Sequence, residues 1–360
     1  MLQKIDEKTW DAMRLTEIFD FISRGKRIKK SDQIPGDVPY VSSTALSNGT
    51  DGSCGNEKNV RKFSGCLTIA NSGSVGSCFY HPYDFVASDH VTALCREGTS
   101  EDCYLGLSAL IRRLGEKYNF NREINDIRIS RERIMLPVIA GVPDYDYIEK
   151  LTQQKRHFLI NKYRVYAKKC IADLGEEVKL PALSEMSWNS FSISDIFDIL
   201  PGKRLVASDT TPGNRPFIGA LDNSNGVARF VSDTNVSLDK NVLGVNYNGN
   251  GMVIGFYHPY ECIFSDDVKR FHLKNHEDNA FVLLFMKVAI LQQKSKFGYL
   301  YKFNAERMAN TRIMLPVTDS GTPDYEYMEQ YAKNMMLRKY KQYLAYLDSK
   351  NKTDTIATND

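Results

Sequence analysis

Residues 133–150 read RIMLPVIAGVPDYDYIEK, and residues 312–330 read RIMLPVTDSGTPDYEYMEQ. Each passage opens with a short apolar run that stops at proline, which reads as a strand. A glycine turn follows, then Pro-Asp, then a long stretch with neither glycine nor proline. Proline is tolerated at a helix start, so each passage is a last strand handing over to a helix. From Asp144 to Leu174 the stretch carries Ile148, Leu151, Phe158, Val165 and Leu174 among many charges. From Asp324 to Lys350 it carries Met336, Tyr340, Tyr343 and Leu347, spaced four, three and four. That is helical, coiled-coil-like spacing.

A handover made twice calls for a search for self-similarity. Shifting the chain by 177 residues aligns 25–91 with 202–268 without a gap and gives 20 identities in 67 positions. Unrelated sequences would give roughly four. FYHPY occurs at Phe79–Tyr83 and Phe256–Tyr260, GKR at Gly25–Arg27 and Gly202–Arg204, and SNG at Ser47–Gly49 and Ser224–Gly226. Pro39 matches Pro216, Asn71 matches Asn248, and Ser88-Asp89 matches Ser265-Asp266. Outside the block, EIFDF at Glu17 answers DIFDI at Asp195, and Trp10 answers Trp188. One unit is used twice.

The first part of each copy is rich in Gly, Asn, Ser and Pro around short apolar runs such as CLTIA and GMVIGFY, which read as strands between turns. A helix follows, YLGLSALIRRLGEKY in one copy and AFVLLFMKVAILQQK in the other. The expected fold is α+β, a tandem repeat of a β-rich domain followed by a long coiled-coil-like helix. The expected boundaries are a globular domain at 1–142, a long helix at 143–175 and a linker at 176–187. A second domain at 188–322, a second helix at 323–349 and a disordered polar tail at 350–360 complete the chain. The long helices are expected to pair antiparallel, relating the copies by a pseudo-two-fold axis.

Composition narrows the class. The 360 residues allow two domains with proper cores. The net charge is only +3, so any nucleic-acid binding must come from local basic surface. Seven cysteines without a CxxC fit free thiols in a reducing cytosol. No run is apolar and long enough for a membrane helix, and MLQKIDEKTW has no apolar signal core. A cytoplasmic location is the expectation.

Catalytic patterns are missing. There is no GxGxxG and no GxxxxGK[ST], and NGNGMVIG (Asn248–Gly255) reads as a turn. No Pro-Pro occurs, so the catalytic loop of an adenine methyltransferase is absent. A metal-dependent nuclease needs an acid followed by Glu-x-Lys, but after Glu149-Lys150 comes Leu151; helix-start acids explain the carboxylates better. Cys78-x-x-His81 has ligand-like spacing, yet the second copy has Gly255 and His258. Cys54 and Cys66 align with Val231 and Leu243, exchanges typical of core thiols. No catalytic residue and no metal ligand is assigned. The FYHPY histidines read as structural, with the proline fixing a turn and the aromatics packing.

A domain, an RI-x-LP strand and a long helix, all repeated, resemble the specificity (S) subunit of type I restriction-modification systems. The doubled LPV…G-x-PDY-x-Y passage is closer to the compact specificity subunits of type IIB, BcgI-like systems. The resemblance covers about residues 10–349. It implies two target-recognition domains, each reading half of a bipartite double-stranded DNA site, with the long helices as spacer and dock. It implies no chemistry in this chain. The partners would be DNA adenine methyltransferase subunits, with or without a nuclease, bringing S-adenosylmethionine and Mg2+. The chain is shorter than typical type I subunits, so both partner types stay open.

Sequence-specific binding needs cations for phosphates and hydrogen-bonding groups for base edges. After the repeated glycine stand Lys26, Arg27, Lys29 and Lys30 in one copy and Lys203 and Arg204 in the other. NEKNVRK, with Asn56, Lys58, Arg61 and Lys62, falls opposite DTNVSLD (Asp233–Asp239). Asp222, Asn223 and Arg229 also face unlike residues in the first copy. Divergence at polar loop positions is what two different half-sites demand, since Arg suits guanine and Asn suits adenine. Lys296 and Tyr299 lie where cations alternate with aromatics. Asn, Asp and aromatic loops also suit sugars, and a tandem β-rich carbohydrate-binding module is the alternative.

Overall fold

Each Pro-Asp-Tyr passage is a helix cap. The computed structural model describes residues 3–357 apart from 120, 250 and 299, with backbone alone for 351–357. The Asp144 carboxylate accepts from the Tyr147 amide at 3.0 Å, and that of Asp324 from the Tyr327 amide at 2.9 Å. Each bond satisfies an amide left open at a helix start. The helices run Tyr145–Leu174 and Tyr325–Ala357. The second passes the boundary at 349 expected from composition, because no glycine or proline stands after it to stop a helix. Of the tail expected to be disordered, 358–360 lie outside the described residues.

The same passages clamp the entering chain. The Tyr147 hydroxyl donates to the Gln3 carbonyl at 3.0 Å, and the Tyr327 hydroxyl to that of Pro181 at 2.9 Å. The Trp10 and Trp188 indoles donate to the carbonyls of Ile5 and Leu183 at 3.1 and 2.9 Å.

The chain divides into a first unit, 1–163, and a second, 164–360, with the division inside the first long helix. In the first unit the main sheet has four antiparallel strands in the order Phe21–Arg24, Val91–Cys95, Cys66–Ala70, Cys78–His81. A second sheet runs Thr50–Cys54, Val38–Val41, Phe85–Ala87, Lys62–Phe63, with its middle pair parallel. The RIMLPV strand, Arg133–Ile139, pairs with Trp10–Arg14. Helix Glu101–Ile111, capped by the Ser100 hydroxyl, packs on the strand Cys78–His81. Leu15, Ile18, Leu67, Leu94, Leu107 and Leu136 form one core with Ile148, so the first turn of the long helix is anchored in it.

The second unit repeats the plan. Its main sheet runs Phe197–Pro201, Val268–Leu273, Val242–Asn246, Gly255–His258. Its second sheet runs Val227–Val231, Pro212–Ile218, Ile263–Phe264. A single bridge, Asp239 to Cys262, stands where the first unit has the strand Lys62–Phe63. The end of the first long helix belongs here and lies on the second long helix. Arg164 pairs with Asp348 at 2.5 Å, and the Tyr166 ring stands edge-on to Tyr340 at 6.1 Å. Those two contacts run in antiparallel sense; a long coiled coil, expected from the spacing, is not shown by them.

The ungapped overlay of the copies is one residue out within the main sheet. Cys66 stands opposite His81, but Val242, not Leu243, stands opposite His258. Asn71 corresponds to Tyr247, not Asn248: their amides donate to the equivalent carbonyls of His90 and Asp267, at 2.8 and 3.0 Å. The first copy has one residue more before this strand and one fewer after it. The flanking identities therefore align while the strand between them slips, and a one-residue slip exchanges the faces of a strand.

The FYHPY motif is a strand end and turn. His81 and His258 are wholly buried. Burial pushes both imidazoles down to about 4, so they are neutral. Tyr83 and Tyr260 stand edge-on to them, each at 5.7 Å.

Candidate nucleic-acid interface

The glycine of each Gly-Lys-Arg sits where the chain leaves the main sheet and crosses the second. The amides of Gly25 and Lys26 donate to the carbonyls of Val91 and Ala87 at 2.9 and 3.0 Å. Those of Gly202 and Lys203 donate to Val268 and Phe264 at 3.2 and 2.8 Å. A Cβ on Gly25 would fall inside the carbonyl of Ser88, and one on Gly202 inside that of Ser265. Only glycine permits this crossing, and it leaves Lys26, Arg27, Lys203 and Arg204 exposed. Lys29 and Lys30 are exposed just beyond.

The divergent loop reaches the same strand in both units. In the first, the Ala87 amide donates to the Arg61 carbonyl at 3.0 Å, and the Arg61 guanidinium donates to the Arg24 carbonyl. The Lys26 ammonium donates to the Asn59 side chain at 3.4 Å. In the second, the Ser237 hydroxyl donates at 3.0 Å to the Phe264 carbonyl, which also receives the Lys203 amide. The cationic turn and the variable loop meet on the same strand in both units, the turn by equivalent backbone bonds and the loop by a backbone bond in one and a side-chain bond in the other.

The other candidates differ in freedom. Lys58 is exposed, and Lys62 pairs with Glu57 at 2.6 Å. Asn56 is buried, accepting from the Ile34 amide and donating to the Asp32 carbonyl, both at 2.9 Å. Its amide is spent on pinning the chain after Lys30. Asp222 and Asn223 are exposed beyond the strand Pro212–Ile218, with the Asn223 amide donating to Asp222 at 3.1 Å. Arg229 is half-buried, its guanidinium 5.5 Å over the Phe217 ring. Arg204 lies 4.0 Å from Asp266. Lys296 stands on a separate short turn after helix Ala280–Leu291 and donates to Gln293 at 2.5 Å. Tyr299 lies outside the described residues.

The sequence reading missed a group of charges behind the second loop. Arg270 donates to Asp239 at 2.7 Å and to the Pro201 carbonyl at 3.0 Å. His272 lies 3.0 Å from Asp239 and 2.6 Å from Asp278. The bond to Asp278, together with Asp239, holds the imidazole up at about 9 against the opposing effect of burial. Burial pushes the Asp239 carboxyl up, but His272 and Arg270 outweigh it and the net shift is down. The equivalent positions in the first unit are Phe63, Ala93 and Cys95, which pack in an apolar core. The overlay is one residue out at Asp239, so no sequence signal joins it to Arg270 and His272. Among the described residues no group of three or more His, Cys, Asp or Glu side chains could hold a metal ion.

A family model described as the type I restriction modification DNA specificity domain matches the chain twice, over residues 7–162 and 185–343. The chain belongs to this family. It is a specificity subunit of a restriction-modification system. Over 330 residues it is 38% identical to the type II restriction enzyme BgcI specificity subunit, S.BcgI, of Heyndrickxia coagulans, covering 91% of this chain and 94% of that one. The crystal structure of the type I S subunit from M. genitalium is 14% identical, covers 98% of this chain and 96% of that one, and gives a TM-score of 0.46. The HsdS subunit of Thermoanaerobacter tengcongensis is 11% identical, with coverage of 94% and 91% and a TM-score of 0.33. Among the described residues of this specificity subunit no helix is long and apolar enough to cross a membrane.

Proposed function

We propose that each unit of this specificity subunit is a target-recognition domain reading one half of a bipartite, asymmetric site in double-stranded DNA. The Gly-Lys-Arg turn would hold phosphates and the neighbouring loop would read base edges, the division of labour that specific binding requires. The observation carrying this reading is a repeated cationic turn, held by equivalent backbone bonds in both units, beside a divergent loop tied to the same strand by the Arg61 carbonyl in one unit and the Ser237 hydroxyl in the other. The family match and the S.BcgI relative support it. Nothing in the comparisons favours a carbohydrate-binding module.

The chain is read as non-catalytic and cytoplasmic. The long helices would space the domains and dock DNA adenine methyltransferase subunits, which would bring S-adenosylmethionine and, where DNA is cut, a nuclease with Mg2+. The domains would comprise 1–142 and 188–322. The test is retardation of duplex DNA with and without the partner methyltransferase, followed by methylation mapping on genomic DNA. A two-part methylated site that appears only with both proteins present is expected. Methyl transfer by the rigorously pure chain would refute the non-catalytic reading.

A further inference from the structure

At one place in the fold the two units use opposite chemistry. Phe63 of the first unit bridges Phe85, and Asp239 of the second bridges the equivalent Cys262. Ala93 stands opposite Thr68, and Arg270 opposite the equivalent Gly244. Cys95 stands opposite Phe21, and His272 opposite Asp198. An apolar core in one unit has become an ionic network in the other.

The network joins four pieces of chain. Asp239 closes the divergent loop, Arg270 and His272 lie on the main sheet, and Asp278 precedes helix Ala280–Leu291. The fourth piece is Pro201, whose carbonyl takes an Arg270 N–H directly before the Gly202 turn. The second Asp278 oxygen accepts from the Leu273 amide at 2.9 Å. Asp198 across the strand, the buried Cys262 thiol against Asp239 and Arg270, and Glu261 beside it are further ionisable groups around the network.

The loop alternates. Ser237 and Asp239 turn inward, Ser237 wholly buried and hydrogen-bonded to both the amide and the carbonyl of Phe264. Val236, Leu238 and Lys240 are exposed, Val236 at 83%. Fixing Asp239 therefore fixes which side chains face out. Charged hydrogen bonds are directional, whereas apolar packing tolerates sliding. Among the described residues the buried Arg270 Nε has no hydrogen-bond partner, so stability alone does not explain the network.

We infer that Asp239, Arg270 and His272 are positioning residues that hold the second unit's loop in one presentation, and thereby set the base preference of the second half-site. This rests on the reading of DNA recognition given above. The first unit, with Phe63, Ala93 and Cys95, needs no such network.

The experiment is enrichment from a random duplex DNA library by the full chain with its methyltransferase partner. Wild type is expected to enrich two half-sites. Asp239→Asn is expected to keep the first half-site and the spacing and to lose about tenfold in preference at the second. The triple variant Asp239→Phe, Arg270→Ala, His272→Cys installs the first unit's apolar residues. It is expected to match the wild-type melting temperature without recovering the wild-type second half-site, which separates positioning from folding. Wild-type preference at the second half-site is expected to fall above about pH 9, where His272 gives up its proton, while the triple variant shows no such step. Unchanged second-site preference in Asp239→Asn, or full recovery in the triple variant, overturns this inference alone. Failure of wild type to enrich any sequence overturns the DNA reading itself.

Discussion

Thr68 and Gly244 occupy the same place in their units, opposite Phe79 and Phe256, and only Thr68 reaches a histidine. Its hydroxyl lies 2.8 Å from His81 Nε2, whereas His258 Nε2 is buried without a hydrogen-bond partner among the described residues. The room is taken differently as well. Phe264 of the second unit stands where the first has Ala87, and a Cβ on Gly244 would come within 2.9 Å of its ring. Thr68 with Ala87 and Gly244 with Phe264 are two ways of filling one space. Thr68→Val keeps the shape and removes the hydroxyl, leaving a second buried imidazole nitrogen unpaired. The first unit is expected to lose about 1–3 kcal/mol in denaturant unfolding. Gly244→Thr is expected to destabilise the second unit, because the phenyl ring blocks the site.

The histidines set opposite pH dependences. His81 and His258 titrate at about 4 in the fold, below the ordinary 6.5. The unfolded chain then binds more protons between those values, so stability is full above pH 6.5 and is lost as pH falls towards 4. His272 titrates at about 9, so its contribution is full below pH 6.5 and is lost as pH rises to 9. Acid should weaken both units, and the alkaline loss should fall on the second alone. Trp10 and Trp188, the only two tryptophans, report one unit each. Urea midpoints followed by each tryptophan in Trp→Phe single variants, at acid, neutral and alkaline pH, are the measurement. An equal alkaline loss in both units would contradict the assignment.

Gly25→Ala and Gly202→Ala are each expected to cost roughly 1–3 kcal/mol or more in their own unit. The atoms in the way are backbone carbonyls of the neighbouring strand, which cannot rotate aside. Differential scanning calorimetry should show one transition lowered and the other unmoved.

These examples mark how far the sequence could be read. The repeat, the strand-to-helix handover and the helix starts were legible because Gly, Pro, Asp and apolar spacing act locally. The Gly-Lys-Arg turn was legible as a pair of cations, and its glycine has a steric reason. What escaped depends on register. The first copy has one residue more before the strand equivalent to Val242–Asn246 and one fewer after it, which leaves the flanking GKR and FYHPY motifs aligned. The overlay therefore hid that Phe63 becomes Asp239; Ala93 and Cys95 do fall opposite Arg270 and His272, but just beyond the ungapped block and with nothing to show which partner the new charges meet. Asn56 reads as an adenine-seeking amide, yet both ends of its side chain go to the backbone of Asp32 and Ile34. A single sequence gives residue type but not the partner that uses it.

Lys203→Ala with Arg204→Ala should weaken binding to every DNA sequence alike. Both side chains are exposed beside the loop, as phosphate contacts would be, with Arg204 4.0 Å from Asp266. Each lost contact is expected to reduce the salt-dependence slope by about 0.9. Fluorescence anisotropy across a salt series, on specific and unrelated duplexes, measures both effects. A loss confined to one sequence would make these residues base readers instead.

Exchange of the second unit's residues 222–240 for those of another specificity subunit should change one half-site only. The segment starts at the exposed Asp222 and Asn223, passes through the strand Val227–Val231, and ends on the loop fastened by Ser237 and Asp239. The first unit's loop has its own fastening through Arg61 and Phe63. If each unit reads DNA by itself, the first half-site and the number of bases between the halves stay fixed while the second half-site takes on the donor's sequence. The graft must keep Ser237, Asp239 and Asn241, whose side chain donates to the Asp278 carbonyl at 2.8 Å, or the new loop will sit in a different register. Methylation mapping on genomic DNA after reconstitution with the methyltransferase reads all three outcomes together. Loss of both half-sites, or a changed spacing, would mean that the two units do not read independently.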